Sequence, residues 1–258
     1  MASVAGALAL VSLLMVEAVA QPAPVDLGTA GSFAVLAGTT VTNTGTTSVD
    51  GDLGVSPGTA VTGFPPGQVN GTIHRGDAVA AQAQSDLTVA YNSAAGRACD
   101  FVLTGSDLGG MTLTPGVYCF ASSAQLTGTV TLDAQGDPSA VFIFQIGSTL
   151  TTASGSSVNL INGASACNVF WQVGSSATLG TGTSFAGNIL ALTSITAQTG
   201  TTVQGRLLAR NGAVTLDTNV VDASACGAGT TPPTPEERSM PTSTRDDLRN
   251  VAIVAHVD

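Results

Sequence analysis

The stretch CNVFWQVGSSATLGTGTSFAGNILALTSITAQTGTTVQGRLLARNGAVTLDTNVVD, residues 167–222, contains one short pattern three times. Residues 170–184 can be laid over residues 188–202 and then over residues 207–221, with equivalent positions 18 and 19 residues apart. A fixed period near twenty residues is typical of stacked coils, in which each repeat buries its apolar side chains against the next. This stretch therefore predicts that the chain folds as a stack of coils.

Side chains that alternate within each copy separate into an inward and an outward set. The inward set is apolar at four equivalent positions, namely Trp171, Ile189 and Leu207, then Val173, Ala191 and Ala209, then Ala177, Ile195 and Val214, and lastly Leu179, Ala197 and Leu216. Among the outward positions, one column is threonine in every copy: Thr178, Thr196 and Thr215.

The threonine column extends outside the three copies. Matching register predicts further members at Thr42, Thr131 and Thr151. A second column lies three residues further along, and whether it shares the face of the first depends on where each coil bends; its members are Ser154, Thr181, Thr199 and Thr218. Because coils stack at about 4.8 Å, the spacing of neighbouring strands, each column should form a straight ladder.

A glycine recurs at a fixed place in the repeat. Residues 49–55, VDGDLGV, match FAGNILA at 185–191 and VQGRLLA at 203–209, and residues 69–73 carry a shorter version. We expect this glycine to mark a bend where the coil turns a corner, because a side chain there would collide with the neighbouring coil.

The segment from Asp77 to Gly96 has helical rather than alternating periodicity. Asp77 can cap a helix, Gly96 can end it, and one stripe is apolar at helical spacing: Val79, Ala83, Leu87, Ala90, Tyr91 and Ala94. A cofactor-binding or membrane-surface helix is the alternative. A stripe made mostly of alanine, without a basic flank, favours a helix packed closely on a sheet.

The composition suits narrow β surfaces and tight turns. Charged residues make up 9% and aromatic residues 4% of the chain, 31 residues are glycine, and there is no lysine. Residues 21–227 contain four arginines and eleven aspartates, a net charge of −7. A nucleic-acid groove needs the opposite sign, so nucleic acid is excluded as a partner.

Residues 1–20 have the features of a secretory signal peptide. An apolar run from Val4 to Val16 precedes Ala18-Val19-Ala20 and Gln21, which has the form of a cleavage site, although a basic start is missing. A transmembrane anchor is the alternative, and the short run favours export and cleavage. We therefore expect a secreted, extracellular protein with no membrane contact after cleavage.

Export predicts that the four cysteines are oxidised. Three pairings of Cys99, Cys119, Cys167 and Cys226 are possible, and sequence alone does not choose among them. We favour Cys99 with Cys119 and Cys167 with Cys226, since the second bond would tie the start of the three-copy stretch to its end. The cysteines lack C-x-x-C spacing, which argues against zinc.

The character of the chain changes after residue 227. Residues 228–258 begin with a Pro/Thr-rich linker, GTTPPTPEE at 229–237, that cannot pack. Residues 240–258 resemble the first strand and opening of the P-loop of a translational GTPase, but the Gly-Lys-Thr/Ser that cradles phosphate is missing, so no nucleotide site is implied. We interpret this tail as read-through or an artefact, with a natural disordered tail as the alternative.

Catalytic constellations are weak in this sequence. Asp50 and Asp52 flank a glycine corner, where a turn or a calcium role is favoured over acid-base work, and Asp133 and Asp217 occupy matching places in their repeats. His74 is isolated, and no Gly-x-Ser-x-Gly elbow occurs. We predict a protein that is not an enzyme and needs no metal or cofactor.

The threonine column admits two interpretations. Threonine favours strands, and like residues often stack in solenoids for packing alone. The functional interpretation is that a flat, uncharged array of methyl and hydroxyl groups orders water into an ice-like layer.

A family resemblance favours the second interpretation. Residues 169–181 (VFWQVGSSATLGT), 185–191 and 205–217 (GRLLARNGAVTLD), with the opening LGTAGSFAVLAG at 27–38, are similar to the signature of the microbial ice-binding (antifreeze) protein family. The similarity runs from about Val25 to Cys226. It implies a right-handed, discontinuous β-solenoid (β-helix) of triangular cross-section over residues 21–227, with a long helix at about 77–96 alongside.

The resemblance also implies a flat face that adsorbs to ice and inhibits its growth and recrystallisation. Adsorption of this kind causes thermal hysteresis and would serve adaptation to cold. The family's Thr-x-x-Thr pattern occurs three times, and a looser match adds one position, so the predicted ice-binding residues are Thr151, Thr178, Thr181, Thr196, Thr199, Thr215 and Thr218. The partner would be the ice surface, bound by a monomer. An adhesive solenoid of the cell surface or matrix and a polysaccharide-acting enzyme are the alternatives.

Overall fold

The computed structural model describes residues 21–226. The predicted signal peptide at 1–20, the predicted tail at 228–258 and its GTPase-like segment at 240–258 lie outside the described residues.

The N-terminal third of the described chain contains a short 3-10 helix, Gly28–Ser32, seven strands and one long helix. The strands are β1 (Phe33–Ala37), β2 (Thr40–Thr44), β3 (Ser48–Asp50), β4 (Asp52–Val55), β5 (Ala60–Thr62), β6 (Gln68–Asn70) and β7 (Ile73–Arg75), and the helix is α1 (Ala78–Ala95).

The remainder is made of strands, with short 3-10 helices at Ala166–Asn168 and Ser224–Cys226. The strands are β8 (Phe101–Val102), β9 (Thr112–Leu113), β10 (Gly116–Phe120), β11 (Ala124–Leu126), β12 (Thr129–Asp133), β13 (Phe142–Ile146), β14 (Leu150–Thr152), β15 (Ser157–Ile161), β16 (Val169–Val173), β17 (Ala177–Leu179), β18 (Ser184–Ala191), β19 (Ile195–Ala197), β20 (Thr202–Ala209), β21 (Val214–Asp217) and β22 (Val220–Asp222).

The strands form three rows, and each strand pairs in parallel with its counterpart one coil away. The first row runs through β8, β10, β13, β16, the C-terminal halves of β18 and β20, β1, β4 and β7. The second row is a seven-stranded sheet in the order β11, β14, β17, β19, β21, β2 and β5. The third row runs through β9, β12, β15, the N-terminal halves of β18 and β20, β22, β3 and β6. The fold is therefore mainly β, with parallel sheets and one long helix.

The order of coils in the stack differs from their order along the chain. The first coil, β1 to β3, lies between the last coil and the second one, since β1 pairs with both β20 and β4, and β2 with both β21 and β5. Helix α1 then carries the chain along the first row, so that the coils from β10 onwards build back towards the first coil.

The interior is filled as the repeat predicted. All twelve inward residues of the three copies are buried. Towards the β8 end the core is aromatic, because the rings of Tyr118, Phe144 and Trp171 occupy successive coils, and the Phe144 and Trp171 ring centres are 3.8 Å apart. Trp171 donates its indole N–H to the carbonyl of Ala186 at 3.1 Å, so its polar atom is satisfied inside the core.

Helix α1 covers the outer surface of the first row. Asp77 caps it by accepting from the Ala80 amide at 2.9 Å, as predicted, and Gly96 follows its last turn. The buried stripe contains Ala83, Leu87, Ala90, Tyr91 and Ala94. Val79 was wrongly placed in this stripe: it is 50% exposed and Ala80 is buried instead. Both positions suit helical spacing in the first turn, so the sequence pattern does not decide between them.

The recurring glycines stand at coil corners. Gly187 and Gly205 pair with each other and have φ values of 116° and 137°, and Gly51 has φ 130°. A Cβ on Gly205 would lie 2.2 Å from the carbonyl oxygen of Gly187, and one on Gly71 would lie 2.4 Å from that of Gly51. The predicted collision with the neighbouring coil is confirmed.

Two disulfide bonds join Cys99 to Cys119 and Cys167 to Cys226. Their Cα atoms are 6.0 and 5.3 Å apart. This is the pairing that the sequence analysis favoured.

Candidate functional site

Within residues 21–226, two of the three rows leave their outer surfaces uncovered. The outer side chains of the first row, such as Ile143, Phe170 and Leu190, are buried under α1. A broad exposed site on strands must therefore lie on the seven-stranded sheet or on the third row.

The seven-stranded sheet carries an unbroken ladder of threonine side chains. Successive strands pair Thr151 with Thr178, Thr178 with Thr196, Thr196 with Thr215, Thr215 with Thr42, and Thr42 with Thr62. Six threonines one strand apart span about 24 Å. The hydroxyl oxygens of Thr42 and Thr215 are 3.4 Å apart, and Gln125 continues the ladder beyond Thr151.

One member of this ladder, Thr62, was not predicted from the sequence, and one predicted member, Thr131, lies elsewhere. Thr62 was missed because β5 lacks the surrounding repeat motif, although its place after Val61 is the same as that of Thr42 after Val41. Thr131 was wrongly included: it lies in β12 and pairs with Thr112 and Asn159 in the third row. The matching places predicted for Asp133 and Asp217 are wrong for the same reason, because β12 and β21 belong to different rows.

The second predicted column lies at the edge of the same sheet, in the turns that follow the strands. Ser154, Thr181, Thr199 and Thr218 are all exposed there. Thr181 donates to Oε1 of Gln198 through its amide at 3.2 Å and its hydroxyl at 3.4 Å. Thr199 and Thr218 both donate their hydroxyl hydrogens to the carboxylate of Asp217, at 2.5 and 3.0 Å. The bonds from Thr181 to Gln198 and from Thr199 to Asp217 each link one coil to the next, so the second column follows the stack.

A buried polar ladder lies beneath these turns, and the sequence analysis did not identify it. Its members are Ser156, Thr183, Thr201, Asn219 and Thr47, none more than 1% exposed. They bond to backbone and side-chain groups of adjacent coils, as when Thr201 donates to the Gly180 carbonyl at 3.0 Å and Asn219 donates to the Gln198 carbonyl at 2.8 Å. Because each hydroxyl or amide is satisfied in one geometry, the ladder holds the corner rigid. The detectable signal was the Ser or Thr two residues after Ser154, Thr181 and Thr199, which Asn219 continues one residue after Thr218.

The two uncovered surfaces differ in charge, and each contains one depression. The strands of the seven-stranded sheet contain one charged residue, Asp217, whereas those of the third row contain Asp50, Asp133 and Asp222. A depression of about 240 Å³ interrupts the third row, with Ser184, Thr202, Val220 and Asp222 in its lining. A second depression, of about 260 Å³, lies at the β11 end of the seven-stranded sheet and includes Thr151. The regular part of the ladder therefore runs from Thr178 to Thr62.

The polar residues considered for catalysis have local structural roles. Asp50 accepts from the Asn70 amide group at 2.6 Å, and Asp52 from the Thr72 backbone amide at 2.8 Å, so both brace the glycine corner. His74 contacts the capping Asp77 at 2.7 Å, and hydrogen bonds from Ala80 and His74 lower the pKa of that carboxyl.

In residues 21–226, no three His, Cys, Asp or Glu side chains gather closely enough to hold a metal ion. The helices of that part also lack the combination of length and apolarity that crossing a membrane requires.

Comparison with known proteins agrees with this architecture. An ice-binding protein from Nostoc sp. (strain HG1) is 61% identical over 221 residues, which cover 85% of this chain and 81% of that protein. The crystal structure of an ice-binding protein from an Antarctic biological consortium matches with a TM-score of 0.77 at 56% identity, over 79% of this chain and 92% of that one. The crystal structure of an ice-binding protein from the Antarctic ascomycete Antarctomyces psychrotrophicus matches with a TM-score of 0.76 at 46% identity. This match covers 78% of this chain and 98% of that one.

The family model that matches is described as ice-binding-like rather than as a catalytic family, and it covers residues 35–222, from β1 to β22. Together with the relatives, this match shows that the chain belongs to the ice-binding-like family.

Proposed function

We propose that this protein binds ice through the outer surface of the seven-stranded sheet, and that it thereby inhibits ice growth and recrystallisation and causes thermal hysteresis. The residues proposed to contact ice are those of the two columns, Thr151, Thr178, Thr181, Thr196, Thr199, Thr215 and Thr218, with Thr42 and Thr62 added by the strand register. The observation that carries the proposal is the in-register threonine ladder on a nearly uncharged sheet.

Physical chemistry supports this surface. Each threonine offers a methyl group that restrains neighbouring water and a hydroxyl that anchors it, and the ladder repeats the pair at the strand spacing. The buried polar ladder and the flanking coils order these side chains before contact, so little conformational entropy is lost on binding. A charged side chain holds its own hydration shell, which would disturb an ordered layer of water. The strands of this sheet contain only one charged residue, Asp217.

We also propose the handedness and the cross-section of the stack. Three rows of parallel strands and the resemblance to the family support a right-handed, discontinuous β-solenoid of triangular cross-section. We further propose a secreted monomer whose residues 1–20 are a cleaved signal peptide, whose residues 228–258 take no part in ice binding, and which acts without cofactor or catalysis.

The experiment replaces one threonine on each uncovered surface. Thr196→Tyr places a ring in the middle of the ladder. Thr131→Tyr makes the same change on the third row, where Thr131 is also half-buried, is the middle residue of its strand and has a paired strand on each side. Ice crystal shape and recrystallisation are recorded on a cold stage with the unsubstituted protein, both variants and albumin. Melting temperatures by circular dichroism verify that each variant is folded.

We expect the unsubstituted protein and Thr131→Tyr to facet crystals and arrest coarsening. Thr196→Tyr should raise the concentration needed for arrest by about tenfold or more, because the ring lifts the surface away from the ordered water, with the melting temperature nearly unchanged. Full activity in Thr196→Tyr would remove the ladder from the site. Round crystals with folded, unsubstituted protein would contradict ice binding and favour an adhesive solenoid.

A further inference from the structure

The turn threonines of the seven-stranded sheet are held by acceptors from the strand ends. Gln198 and Asp217 occupy equivalent positions, two residues after Thr196 and Thr215. Each accepts from the turn threonine of the preceding coil: Gln198 from Thr181, and Asp217 from Thr199. The equivalent residue one coil earlier is Gly180, which has no side chain, and the one in the next coil of the stack is Thr44. Among these four coils, only Gln198 and Asp217 therefore supply an amide or carboxylate acceptor.

Asp217 differs from Gln198 because its carboxylate takes two hydroxyl hydrogens. Oδ2 accepts from Thr199 at 2.5 Å, and Oδ1 accepts from Thr218 at 3.0 Å. An ionised carboxylate has no hydrogen to donate, so the direction of both bonds is set by chemistry. Each hydroxyl has then used its one hydrogen, and towards water it can only accept.

A turn-forming role for Asp217 does not account for these bonds. Its backbone amide, rather than its carboxylate, bonds into the corner, by donating to Oδ1 of Asn219 at 2.6 Å. Asn219 is in turn held by Thr47 of the neighbouring coil, whose hydroxyl oxygen accepts from the backbone amide of Asn219 at 3.0 Å. The hydrogen bonds of the carboxylate therefore go to side-chain hydroxyls rather than to the backbone. Both hydroxyls, those of Thr199 and Thr218, belong to the predicted second column.

We propose that Asp217 is a positioning residue of the ice-binding surface, whose carboxylate fixes Thr199 and Thr218 in one rotamer each and presents both hydroxyls to water as acceptors. This inference rests on the proposed function and adds a residue to it. It explains why a charged side chain stands among threonines: the charge is directed at two hydroxyls of the protein. The water above Thr199 and Thr218 must then donate, which orients it for an ice layer.

The test uses Asp217→Asn, which keeps the shape and the backbone amide but leaves one oxygen as an acceptor. Asp133→Asn is the matched control, because it makes the same change at a strand end in the third row, where Asp133 accepts from Gln135 and Asn162. Three-bond couplings to the threonine methyl carbons, measured by NMR in solution, report the rotamers of Thr199 and Thr218. Recrystallisation endpoints over a wide concentration series report ice affinity.

We expect single rotamers in the unsubstituted protein and in Asp133→Asn. In Asp217→Asn at least one of the two threonines should average between rotamers, and the recrystallisation endpoint should rise about fivefold. Unchanged couplings in Asp217→Asn would overturn the positioning role, and averaged couplings with an unchanged endpoint would overturn its importance for ice. If the unsubstituted protein has fixed rotamers but does not act on ice, the proposed function fails while the positioning role stands.

Discussion

At the scale of single residues, alternation along a strand predicts which side chains face the core, but it does not predict which of the three rows the strand joins. Thr131 follows Val130 and precedes Leu132 and Asp133, the same order as in residues 214–217, yet it lies in the third row. Every strand of a coil has one side towards the core, so short motifs look alike in all rows. The ladder members within the three-copy stretch were predictable because the 18- and 19-residue spacing adds the missing register.

Corner glycines are a second residue-scale feature, and they were predictable because their motif recurs. We predict that Gly205→Ala lowers the free energy of unfolding by about 3 kcal/mol, because a non-glycine residue is strained at φ 137° and its Cβ would lie 2.2 Å from the Gly187 oxygen. Equilibrium urea denaturation measures the change.

Gly200→Ala is the matched control for that substitution. Gly200 also has positive φ, at 71°, but no atom lies within 4 Å of a Cβ built there. The loss should be nearer 1 kcal/mol, the cost of the backbone conformation alone. Equal losses in the two variants would contradict the role of the neighbouring coil.

At the scale of elements, helix α1 is tied to the stack by polar side chains as well as by its alanine stripe. Asp86 accepts from the amide and the hydroxyl of Thr29, at 2.8 and 2.6 Å, and so joins the helix to the 3-10 helix before β1. At the other end, Gln145 of β13 donates to the carbonyls of Ala94 and Arg97, each at 2.8 Å. Periodicity predicted the helix, but these partners lie tens of residues away in sequence and could not be predicted from it.

We predict that the bond between Asp86 and Thr29 makes stability depend on acid pH. The side-chain and backbone hydrogen bonds from Thr29 lower the pKa of Asp86 below its ordinary value of 3.8. The stabilisation is therefore complete above that value and is lost as the pH falls through the folded-state pKa. Asp86→Asn should cost about 1 kcal/mol at pH 7, a modest value because the site is exposed, and progressively less as the pH falls below 3.8.

Urea denaturation of the protein and of Asp86→Asn at pH 7, 5, 3 and 2 measures that difference. In a Thr29→Val background the effect of Asp86→Asn at pH 7 should shrink, because the hydrogen bond from the Thr29 hydroxyl is gone. A difference that persists unchanged to pH 2 would show that Asp86 acts by some means other than its charge.

At the scale of the whole molecule, the first and last coils of the chain lie side by side, and a buried arginine joins them. Arg206 is 3% exposed there and donates to the Gly31 carbonyl at 3.0 and 2.6 Å, to Oδ1 of Asn188 at 2.9 Å, and to the Cys226 carbonyl. Burial lowers the pKa of Arg206 to about 10, which leaves it charged at neutral pH. One cation thus joins the segment before β1, a corner of β18 and the end of the last coil.

The Cys167–Cys226 disulfide lies at the same junction. We predict that replacing Cys167 and Cys226 by serine costs about 1 kcal/mol more than replacing Cys99 and Cys119, because the crosslinks close loops of 59 and 20 residues and the longer loop restrains the unfolded chain more. Denaturation of the two double variants under identical conditions compares them. A larger loss for the Cys99 and Cys119 pair would show that native-state contacts, rather than loop entropy, decide the ranking.

The sequence by itself determined the coil period, the inward residues, the corner glycines, the helix and the family, because each is written in spacings shorter than two coils or in a continuous motif. Only the tertiary structure decided which row each strand joins, that the first coil stands beside the last, and that α1 covers the first row and leaves the threonine ladder open. It also decided that the hydroxyls of Thr199 and Thr218 lie within hydrogen-bond distance of the Asp217 carboxylate. These features depend on contacts between residues far apart in the chain, and local periodicity carries no information about which distant strand completes a sheet.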